Sequence, residues 1–459
     1  MNDNGIIFNQ NAKKITFDDE HYEMMMTRYE QFMQNVENCT NYYSDLELEK
    51  QRALNIRSRA FKKLDKLLVD FDTNFTKNGG KILWANDAED AKQLIYDILN
   101  QDKVKRVIKT KSATVEEINL TSFLEMKKIK VTETNIGDFI CHLFNQVPYN
   151  IVHSADNKTN SQIADLYTDK FGIKQNCNPK QLTLYTKQLL KEEMSNTDAL
   201  ITGANFLISN TGTVVLTENE GNILKSSSFS PVHIIVASIN KLITSIDELS
   251  VLLPLSSFFE PNKNISSLYT FINKPSIIED KCQKLYLVLL DNNITNILSK
   301  EKQRDILSCV HCGGCYNVCP IYNTIGGHTY ETSNPGPVGS IFYPLTKGFE
   351  EASHFTSLCT SCGRCNEICP VSIPMKDIIL ENRKDLVRED KSLISERGFL
   401  SFLMKKMSSR KNLDKFGASF KDMELSFQIK KKWGQKRELP KFAKESFSQY
   451  WKIINKINQ

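Results

Sequence analysis

A cysteine run occurs twice in the chain, as CVHCGGCYNVCP at residues 309–320 and as CTSCGRCNEICP at residues 359–370. Both copies have the spacing C-x₂-C-x₂-C-x₃-C-P, in which three thiolates wrap a tight loop around three corners of an iron–sulfur cubane. Gly313, Gly314 and Gly363 let the backbone approach the sulfur atoms. The repeated run therefore predicts a small helical domain that holds two [4Fe–4S] clusters.

The fourth cysteine of each run completes the predicted ligand sets. In proteins with two such runs, this cysteine ligates the cluster of the other run. The first cluster is thus predicted to be bound by Cys309, Cys312, Cys315 and Cys369, and the second by Cys359, Cys362, Cys365 and Cys319. Zinc and disulfides are the alternatives. Zinc sites usually take two separated ligand pairs, and disulfides are rare in the cytoplasm, so the spacing favours iron and sulfur.

Two clusters side by side suit electron transfer. Each normally carries one electron, so the pair can hold the two electrons that a hydride-equivalent oxidation releases. His311 and His354 lie near the runs, where a neighbouring donor can tune a cluster potential, although ordinary surface histidines are common. The other cysteines are predicted to be small hydrophobic residues of the structure: Cys39, Cys141, Cys177 and Cys282.

Upstream of the runs, short apolar strands alternate with amphipathic helices. The predicted strands are 82–84, 106–109, 130–134, 151–153, 199–201, 206–209, 213–216, 232–237 and 285–290. The predicted helices are a long N-terminal stretch at 17–78 that Gly79-Gly80 ends, one that Asp87 opens, and 115–127, 136–144 and 160–171. This alternation predicts an α/β domain whose sheet is mostly parallel, with helices on its faces.

Four regions follow from these patterns. They are a helical segment at 1–74, the α/β domain at 75–291, the dicluster ferredoxin-type domain at 292–390 and a basic helical tail at 391–459. Ligands of open parallel sheets bind beyond the carboxyl ends of the strands, which directs attention to the loops near Lys111, Ser112 and Gly203. The plainer interpretation of Gly203 and Gly212 is turn geometry.

The net charge of +5 is uneven, because residues 401–459 hold 15 Lys and Arg against 5 Asp and Glu. An apolar face of a helix after Pro440 is predicted from Phe442, Phe447, Tyr450, Trp451, Ile454 and Ile457, surrounded by Lys441, Lys444, Lys452 and Lys456. Such a tail suits docking onto an acidic partner or an anionic membrane surface near quinones. The alternative is a helix packed on the acidic remainder of the chain.

The sequence lacks the motifs that are typical of membrane-spanning, secreted, nucleotide-cofactor-binding and nucleic-acid-binding proteins. No apolar stretch reaches the roughly 20 residues of a membrane span, and no signal peptide is visible, so a cytoplasmic protein is predicted, with peripheral membrane contact left to the basic tail. No Gly-x-Gly-x-x-Gly, Walker A or HExxH motif is found, so no flavin or nicotinamide site is visible. A nucleic-acid-binding or redox-sensing module is disfavoured because the tail has no recognised motif for it.

Several segments outside the cysteines resemble the bacterial lactate-utilisation iron–sulfur protein B family. They are KTKS at 109–112, ETN at 133–135, TGANFLISNTGTVVL at 202–216, TENEGN at 217–222, VHIIVA at 232–237, CPIYNTIGGHTY at 319–330 and PGPVG at 335–339. The resemblance covers most of residues 75–385. Together these segments are more specific than the cysteine runs, which many ferredoxins share.

The resemblance implies one subunit of a three-protein system that oxidises L-lactate to pyruvate in the cytoplasm. It also implies a fold like that of sugar-phosphate isomerases for the α/β domain, and partners that include a second cysteine-rich iron–sulfur protein. An iron–sulfur subunit for glycolate or for glycerol 3-phosphate is the alternative. With no hydride-accepting cofactor site in view, the chain is not expected to be catalytic by itself, and the residue that breaks the substrate C–H bond is unknown.

Overall fold

The computed structural model describes residues 3–174, 177–258, 268–278, 280–332 and 334–389 and, nearer the C-terminus, residues 398, 401, 404–405, 408, 417–433 and 438–457. The chain forms two compact units, Met1–Leu386 and Val387–Gln459. The boundaries proposed near residues 74 and 291 stay predictions, because both fall inside the first unit.

The first unit contains most of the secondary structure. Its strands are β1 (Lys81–Ala85), β2 (Arg106–Lys109), β3 (Lys130–Glu133), β4 (Ala199–Thr202), β5 (Phe206–Ile208), β6 (Thr213–Glu218), β7 (Val232–Ser238), β8 (Leu242–Ile243), β9 (Leu268–Ile272), β10 (Ile277–Ile278), β11 (Lys281–Cys282) and β12 (Lys284–Leu290). The helices up to the dicluster region are α1 (Asp3–Ile15), α2 (Asp19–Thr40), α3 (Leu46–Lys62), α4 (Leu64–Lys77), α5 (Ala88–Gln101), α6 (Ala113–Glu117), α7 (Leu120–Met126), α8 (Ile136–Leu143), α9 (Asn160–Phe171), α10 (Pro179–Ser195), α11 (Asn222–Ser227), α12 (Leu249–Phe258) and α13 (Ile294–Ser299).

The dicluster region is helical. Its helices are α14 (Gly314–Asn317), α15 (Pro320–Ile325), α16 (Gly336–Lys347), α17 (Phe349–Thr356), α18 (Arg364–Ile368) and α19 (Met375–Glu389). No strand occurs between Asn292 and Glu389 in the part that the structure describes. The prediction of a helical domain around the cysteine runs is therefore confirmed.

The main sheet has six strands in the order β1-β12-β7-β4-β2-β3, and every neighbouring pair is parallel. All four residues of β4 are buried, as strands covered by helices on both faces require. The prediction of a parallel α/β sheet is confirmed. Because β2, β3 and β4 run in one direction, the loops after them meet at one edge of the sheet.

A second sheet has the order β8-β5-β6-β9. Strands β5 and β6 are antiparallel and joined by a tight turn, in which Gly212 has φ +64°. Helices α3 and α4 pack into the same hydrophobic core as this sheet, through residues such as Ile56, Phe71 and Phe75. The N-terminal helices are thus part of the first unit's core.

Gly212→Ala is expected to reduce the free energy of unfolding by about 1–3 kcal/mol, because it overpacks a tight contact and strains a left-handed backbone. A Cβ at Gly212 would lie 2.4 Å from the Phe75 backbone nitrogen. Gly172→Ala is the matched control, since Gly172 has φ +67° but no atom within 4 Å of the added carbon. Denaturant unfolding should show the larger loss at Gly212, and equal losses would contradict the close contact.

Some predicted elements differ from the structure. Residues 151–153 form no strand and belong to a loop. The predicted helix at 115–127 is two short helices, α6 and α7, separated at Asn119, which has φ +52°. The long helical stretch at 17–78 is likewise three helices. Helix α10 and strands β8 and β9 were not predicted, because their short or mixed apolar patterns give a weak periodic signal.

Two helices of the second unit have both ends among the described residues, α20 (Ala418–Trp433) and α21 (Phe447–Ile457). The sequence predicted a helical face that includes Phe442, but residues 438–446 are not helical, so Phe442, Lys441 and Lys444 lie outside α21. Pro440 and the Asp422 contact of the Phe442 N–H favour an extended entry to the helix. No helix in the described part of either unit is long and apolar enough to cross a membrane.

Candidate functional site

The eight cysteines of the two runs lie in the walls of two separate small cavities. One cavity is lined by Cys309, Cys312, Cys315 and Cys369, and the other by Cys319, Cys359, Cys362 and Cys365. These are the two crossed sets that the spacing predicts. Four thiols around one cavity are the donor set that a [4Fe–4S] cluster takes. The residues present therefore fit the two clusters, and ligation itself stays a prediction.

The two runs fold in the same way around their cavities. His311 and Ser361 occupy equivalent positions, with φ +56° and +60°. Gly313 and Gly363 follow, with φ +78° and +83°, and each precedes a short helix. Left-handed backbone at two nearby residues curls the chain so that consecutive N–H groups face the sulfur atoms. The sequence repeat is thus also a repeat of the local structure.

Backbone N–H groups donate to sulfur atoms in both sets. They do so from His311 to Cys309 at 3.4 Å, from Ser361 to Cys359 at 3.2 Å and from Ile373 to Cys369 at 3.4 Å. Hydrogen bonds of this kind stabilise negative charge on sulfur and help to set the reduction potential of a bound cluster. The backbone of each run is therefore shaped for thiolate ligands.

An arginine fixes the backbone at the start of each run. Arg57 of α3 is 1% exposed and donates to the carbonyl oxygens of Asn240, of Leu242 at 3.3 Å and of Leu307 at 3.1 Å. Arg383 of α19 donates to the Cys359 carbonyl at 2.6 Å. Neither arginine could be identified from the sequence, because their acceptors are carbonyl groups that carry no residue signature.

A larger polar cavity of about 490 Å³, which we name the sheet-edge cavity, lies at the carboxyl ends of β2, β3 and β4. Lys111, Ser112 and Gly203 line it, so the loops to which the sequence directed attention are brought together here. His311 and Cys312 line both this cavity and that of the first cysteine set. The sheet-edge cavity and the first cysteine set therefore share a wall.

A glycine is needed at position 203 because the Ser112 side chain lies close to its Cα. It does not have a positive φ, and a Cβ there would lie 2.3 Å from the Ser112 side-chain oxygen. The interpretation as turn geometry is correct for Gly212 and wrong for Gly203. The contact joins the loops after β2 and β4, which both line the cavity.

Most charged side chains at the cavity wall are already engaged. Lys111 donates to the Val152 carbonyl at 2.5 Å and to the Ser154 hydroxyl at 3.0 Å. Glu218 accepts from the Ile223 N–H at 2.7 Å. Glu220 accepts from the Asn135 amide at 2.9 Å, and burial raises the pKa of its carboxyl. These contacts fix the loops that form the wall.

A buried ion cluster anchors the adjacent strand ends. Lys109 and Glu133 are register partners on β2 and β3, and their charged groups lie 2.8 Å apart. Burial raises the pKa of Glu133 to about 8 against the attraction of Lys109. Burial alone would lower the pKa of Lys109, but Glu133, Glu116 and Asp138 outweigh it and raise that pKa. The two sequence segments 109–112 and 133–135 thus meet through an ion pair.

The loop at 151–153 replaces the strand that was predicted there. The Asn150 side-chain oxygen accepts from the Val152 N–H at 2.9 Å and from the His153 N–H at 2.6 Å, which curls the loop. Ile151 lines both the sheet-edge cavity and the first cysteine cavity. The apolar residues that suggested a strand therefore form part of the cavity wall.

The remaining candidate residues are the second histidine near the cysteine runs and the cysteines outside the runs. His354 does not line either cysteine cavity and packs 5.0 Å from the Phe8 ring, so only His311 of the two histidines is placed to tune a cluster. Cys141 is buried, and burial raises the pKa of its thiol to about 12, in keeping with a structural residue. Cys282 is exposed, so it is not the packed small residue that was predicted. The side chain of Cys39 lies outside the described residues.

Known proteins match both regions of the first unit. Residues 68–298 match the LUD domain family, and residues 305–373 match the 4Fe-4S dicluster domain. Lactate utilization protein B of Geobacillus sp. (strain WCH70) is 34% identical over 355 residues, which are 76% of this chain and 74% of that protein. This chain belongs to the lactate utilization protein B family. The resemblance seen in the sequence is confirmed.

A second relative agrees with this family. Lactate utilization protein B of Bacillus cytotoxicus is 31% identical over 411 residues, which are 86% of each chain. A crystal structure of a DUF162 family protein from Deinococcus radiodurans aligns with 50% of this chain at 14% identity and a TM-score of 0.29. In this chain, the dicluster match contains all eight cysteines of the two runs, which supports iron–sulfur clusters over zinc.

Proposed function

We propose that this chain is the iron–sulfur electron-transfer subunit of a cytoplasmic complex that oxidises L-lactate to pyruvate. The family supports lactate as the substrate, since the related proteins are named for lactate utilization. The crossed cysteine sets support two [4Fe–4S] clusters that accept electrons one at a time. Oxidation of lactate to pyruvate releases two electrons and two protons, so two clusters match the electron count.

The single observation that carries the proposal is the wall shared by the sheet-edge cavity and the first cysteine set. A small molecule in the cavity would lie beside Cys312 and His311. The loops after β2 and β4 would hold it, as ligands of parallel sheets are held beyond strand ends. Each run contributes one cysteine to the other run's cavity, Cys369 to the first and Cys319 to the second, so the two sets are neighbours. Electrons that a partner's hydride acceptor takes from this molecule would then pass one at a time through the first set to the second.

Partners complete the proposed complex. Because no flavin or nicotinamide site is visible in the sequence, we place the hydride acceptor on another lactate-utilisation subunit, with a second cysteine-rich protein among the partners. We further propose that the basic tail docks onto an acidic partner surface or a membrane surface near quinones. In α21 the aromatic side chains of Phe447, Tyr450 and Trp451 are exposed, which supports docking.

The isolated, cluster-loaded chain is expected to show no lactate:dye turnover. Clusters move single electrons and do not accept a hydride, so the two-electron step needs the partner subunit. Anaerobic co-purification with the partners, followed by addition of L-lactate, should bleach the cluster absorption and produce the electron paramagnetic resonance (EPR) signal of reduced clusters. Dithionite reduction of the isolated chain is the control that its clusters are redox-active.

Two outcomes would contradict this function. Robust turnover by the isolated chain would mean that it contains the whole active site. Reduction of the complex by glycolate or glycerol 3-phosphate, but not by L-lactate, would assign the chain to a different oxidising complex.

A further inference from the structure

One cation at the sheet-edge cavity lacks a direct hydrogen-bonding or ion-pair partner within the described residues, although Glu117 and Cys309 attract its charge. Lys241 lies in the turn after β7, is 7% exposed and lines the cavity. Its ammonium forms no hydrogen bond or ion pair among the residues that the structure describes. An ammonium held away from water without a partner is costly. Burial and the nearby Arg57 lower the pKa of Lys241, while Cys309 and Glu117 act in the opposite direction.

The neighbouring acids do not satisfy this cation. Glu218 and Glu220 bind backbone and amide N–H groups on the far loops. Glu117 accepts from the Asn292 amide at 2.7 Å, and its ion pair with Lys241 is absent in the described part of the chain. Lys111, the other lysine of the wall, is bound to Val152 and Ser154. Of these two lysines, Lys241 is therefore the one whose ammonium N–H groups have no acceptor among the described residues.

A hydroxyl group of the same cavity also lacks a partner. Thr110 follows β2, is 3% exposed and lines the cavity, and its side-chain oxygen is buried without a hydrogen bond in the described structure. Buried polar groups are normally hydrogen bonded, so an unpaired one needs an explanation. A cation and a hydroxyl in one cavity are complementary to a molecule with a carboxylate and further oxygen atoms.

We propose that the Lys241 ammonium binds the carboxylate of a short 2-hydroxy acid in the sheet-edge cavity, with the Thr110 hydroxyl hydrogen bonding to the same molecule. The carboxylate is what the unpaired cation requires, while the 2-hydroxy class rests on the proposed function. The cavity wall at Cys312 then places this molecule beside the first cysteine set. Lys241 and Thr110 are binding residues in this proposal, and no bond is broken by them.

The test is anaerobic calorimetry on the full, cluster-loaded chain with L-lactate, glycolate, propionate and the neutral analogue lactamide as probes. Wild-type protein should bind L-lactate. Lactamide should bind more weakly by a factor of about ten or more, because hydrogen bonds between charged groups are stronger than those between neutral groups. Lys241→Met should weaken L-lactate binding by about tenfold or more and leave the already weak lactamide binding unchanged. Thr110→Val should weaken it by a smaller factor.

Lys347→Met is the matched control, since Lys347 is exposed and does not line the sheet-edge cavity. It removes the same charge and should change L-lactate binding less than twofold. Iron content and the cluster spectrum of every variant establish that the fold is kept. Should Lys241→Met not fold, the comparison of lactamide with L-lactate on wild-type protein, together with Thr110→Val, still decides the proposal.

Each outcome has one meaning. Equal binding of lactamide and L-lactate, unchanged binding in Lys241→Met, or no binding of any of the acids would overturn the proposal. A cluster potential that shifts in Lys241→Met while binding stays unchanged would make Lys241 a counter-charge of the cluster. Glycolate binding that depends on Lys241, without L-lactate binding, would keep the carboxylate site and remove lactate from the proposed function. If L-lactate reduced the complex equally well with Lys241→Met in place of the wild-type chain, the proposed function would be kept and the carboxylate site at Lys241 would be lost.

Discussion

Cys369→Ala should remove the cluster of the first cysteine run and leave that of the second run in place. Cys369 lines the cavity of Cys309, Cys312 and Cys315, although it follows Cys315 by 54 positions in the sequence. A cubane with three thiolates has lost a quarter of its protein ligands and is labile. Iron and sulfide should fall from about eight of each per chain to about four of each.

The reciprocal variant, Cys319→Ala, should remove the cluster of the second run. Cys282→Ala is the control, because Cys282 is exposed and lines neither cysteine cavity. Anaerobic reconstitution, metal analysis and EPR spectra of the reduced variants separate the two clusters. If each substitution damaged only the cluster of its own run, the ligation would be sequential. One cluster per chain or stoichiometric zinc in the wild type would refute the dicluster assignment altogether.

The parts of the fold that could be predicted are those encoded by local patterns. Strands such as β7 and β12 are continuous apolar runs because helices cover both faces of the sheet. The crossed cysteine sets follow from spacing, since a fourth cysteine one helical turn after the third points away from its own loop. In the structure each set of four lines one cavity, and ligation of a cluster by each set stays a prediction. The loops near Lys111 and Gly203 were found by the rule for strand ends.

The parts that could not be predicted depend on contacts between distant segments. Lys241 is one of many lysines, and its place in the cavity wall depends on residues 310–312, which line the same cavity about seventy positions later in the chain. Thr110 appears as an ordinary polar residue after a strand. The apolar residues at 151–153 fit a strand pattern equally well whether they join a sheet or line a cavity. Local periodicity does not distinguish these cases.

Arg57 is the clearest example of a residue that only the tertiary structure identifies. Its sequence neighbourhood is an ordinary charged helix, yet the guanidinium is fully buried and links α3, the turn after β7 and the segment before Cys309. Burial lowers its pKa to about 10, so it stays charged at neutral pH. A planar group with five donors can serve several carbonyl acceptors at once, which lysine cannot do.

Arg57→Met is expected to reduce the free energy of unfolding by about 3–5 kcal/mol, because it leaves buried carbonyl oxygens without donors. The Leu307 carbonyl keeps one donor, the Asn240 amide at 3.0 Å, so the loss falls mainly on the Asn240 and Leu242 carbonyls. Arg52→Met on the same helix is the control. Arg52 is exposed and pairs with Glu49, so its removal should change stability by less than about 1 kcal/mol.

The same substitution should lower the reduction potential of the first cluster. Reduction adds negative charge next to Cys309, and the Arg57 guanidinium interacts favourably with a negative Cys309 sulfur. Removing the cation therefore disfavours the reduced form. Arg57→Lys separates the two effects, since it keeps the charge but not the fork of donors. Potentiometric EPR titration should show a potential near that of the wild type in Arg57→Lys and a lower one in Arg57→Met, while both lose stability. A potential that is unchanged in Arg57→Met would mean that water or other charges screen the cation from the cluster, and that the guanidinium acts only by fixing the backbone.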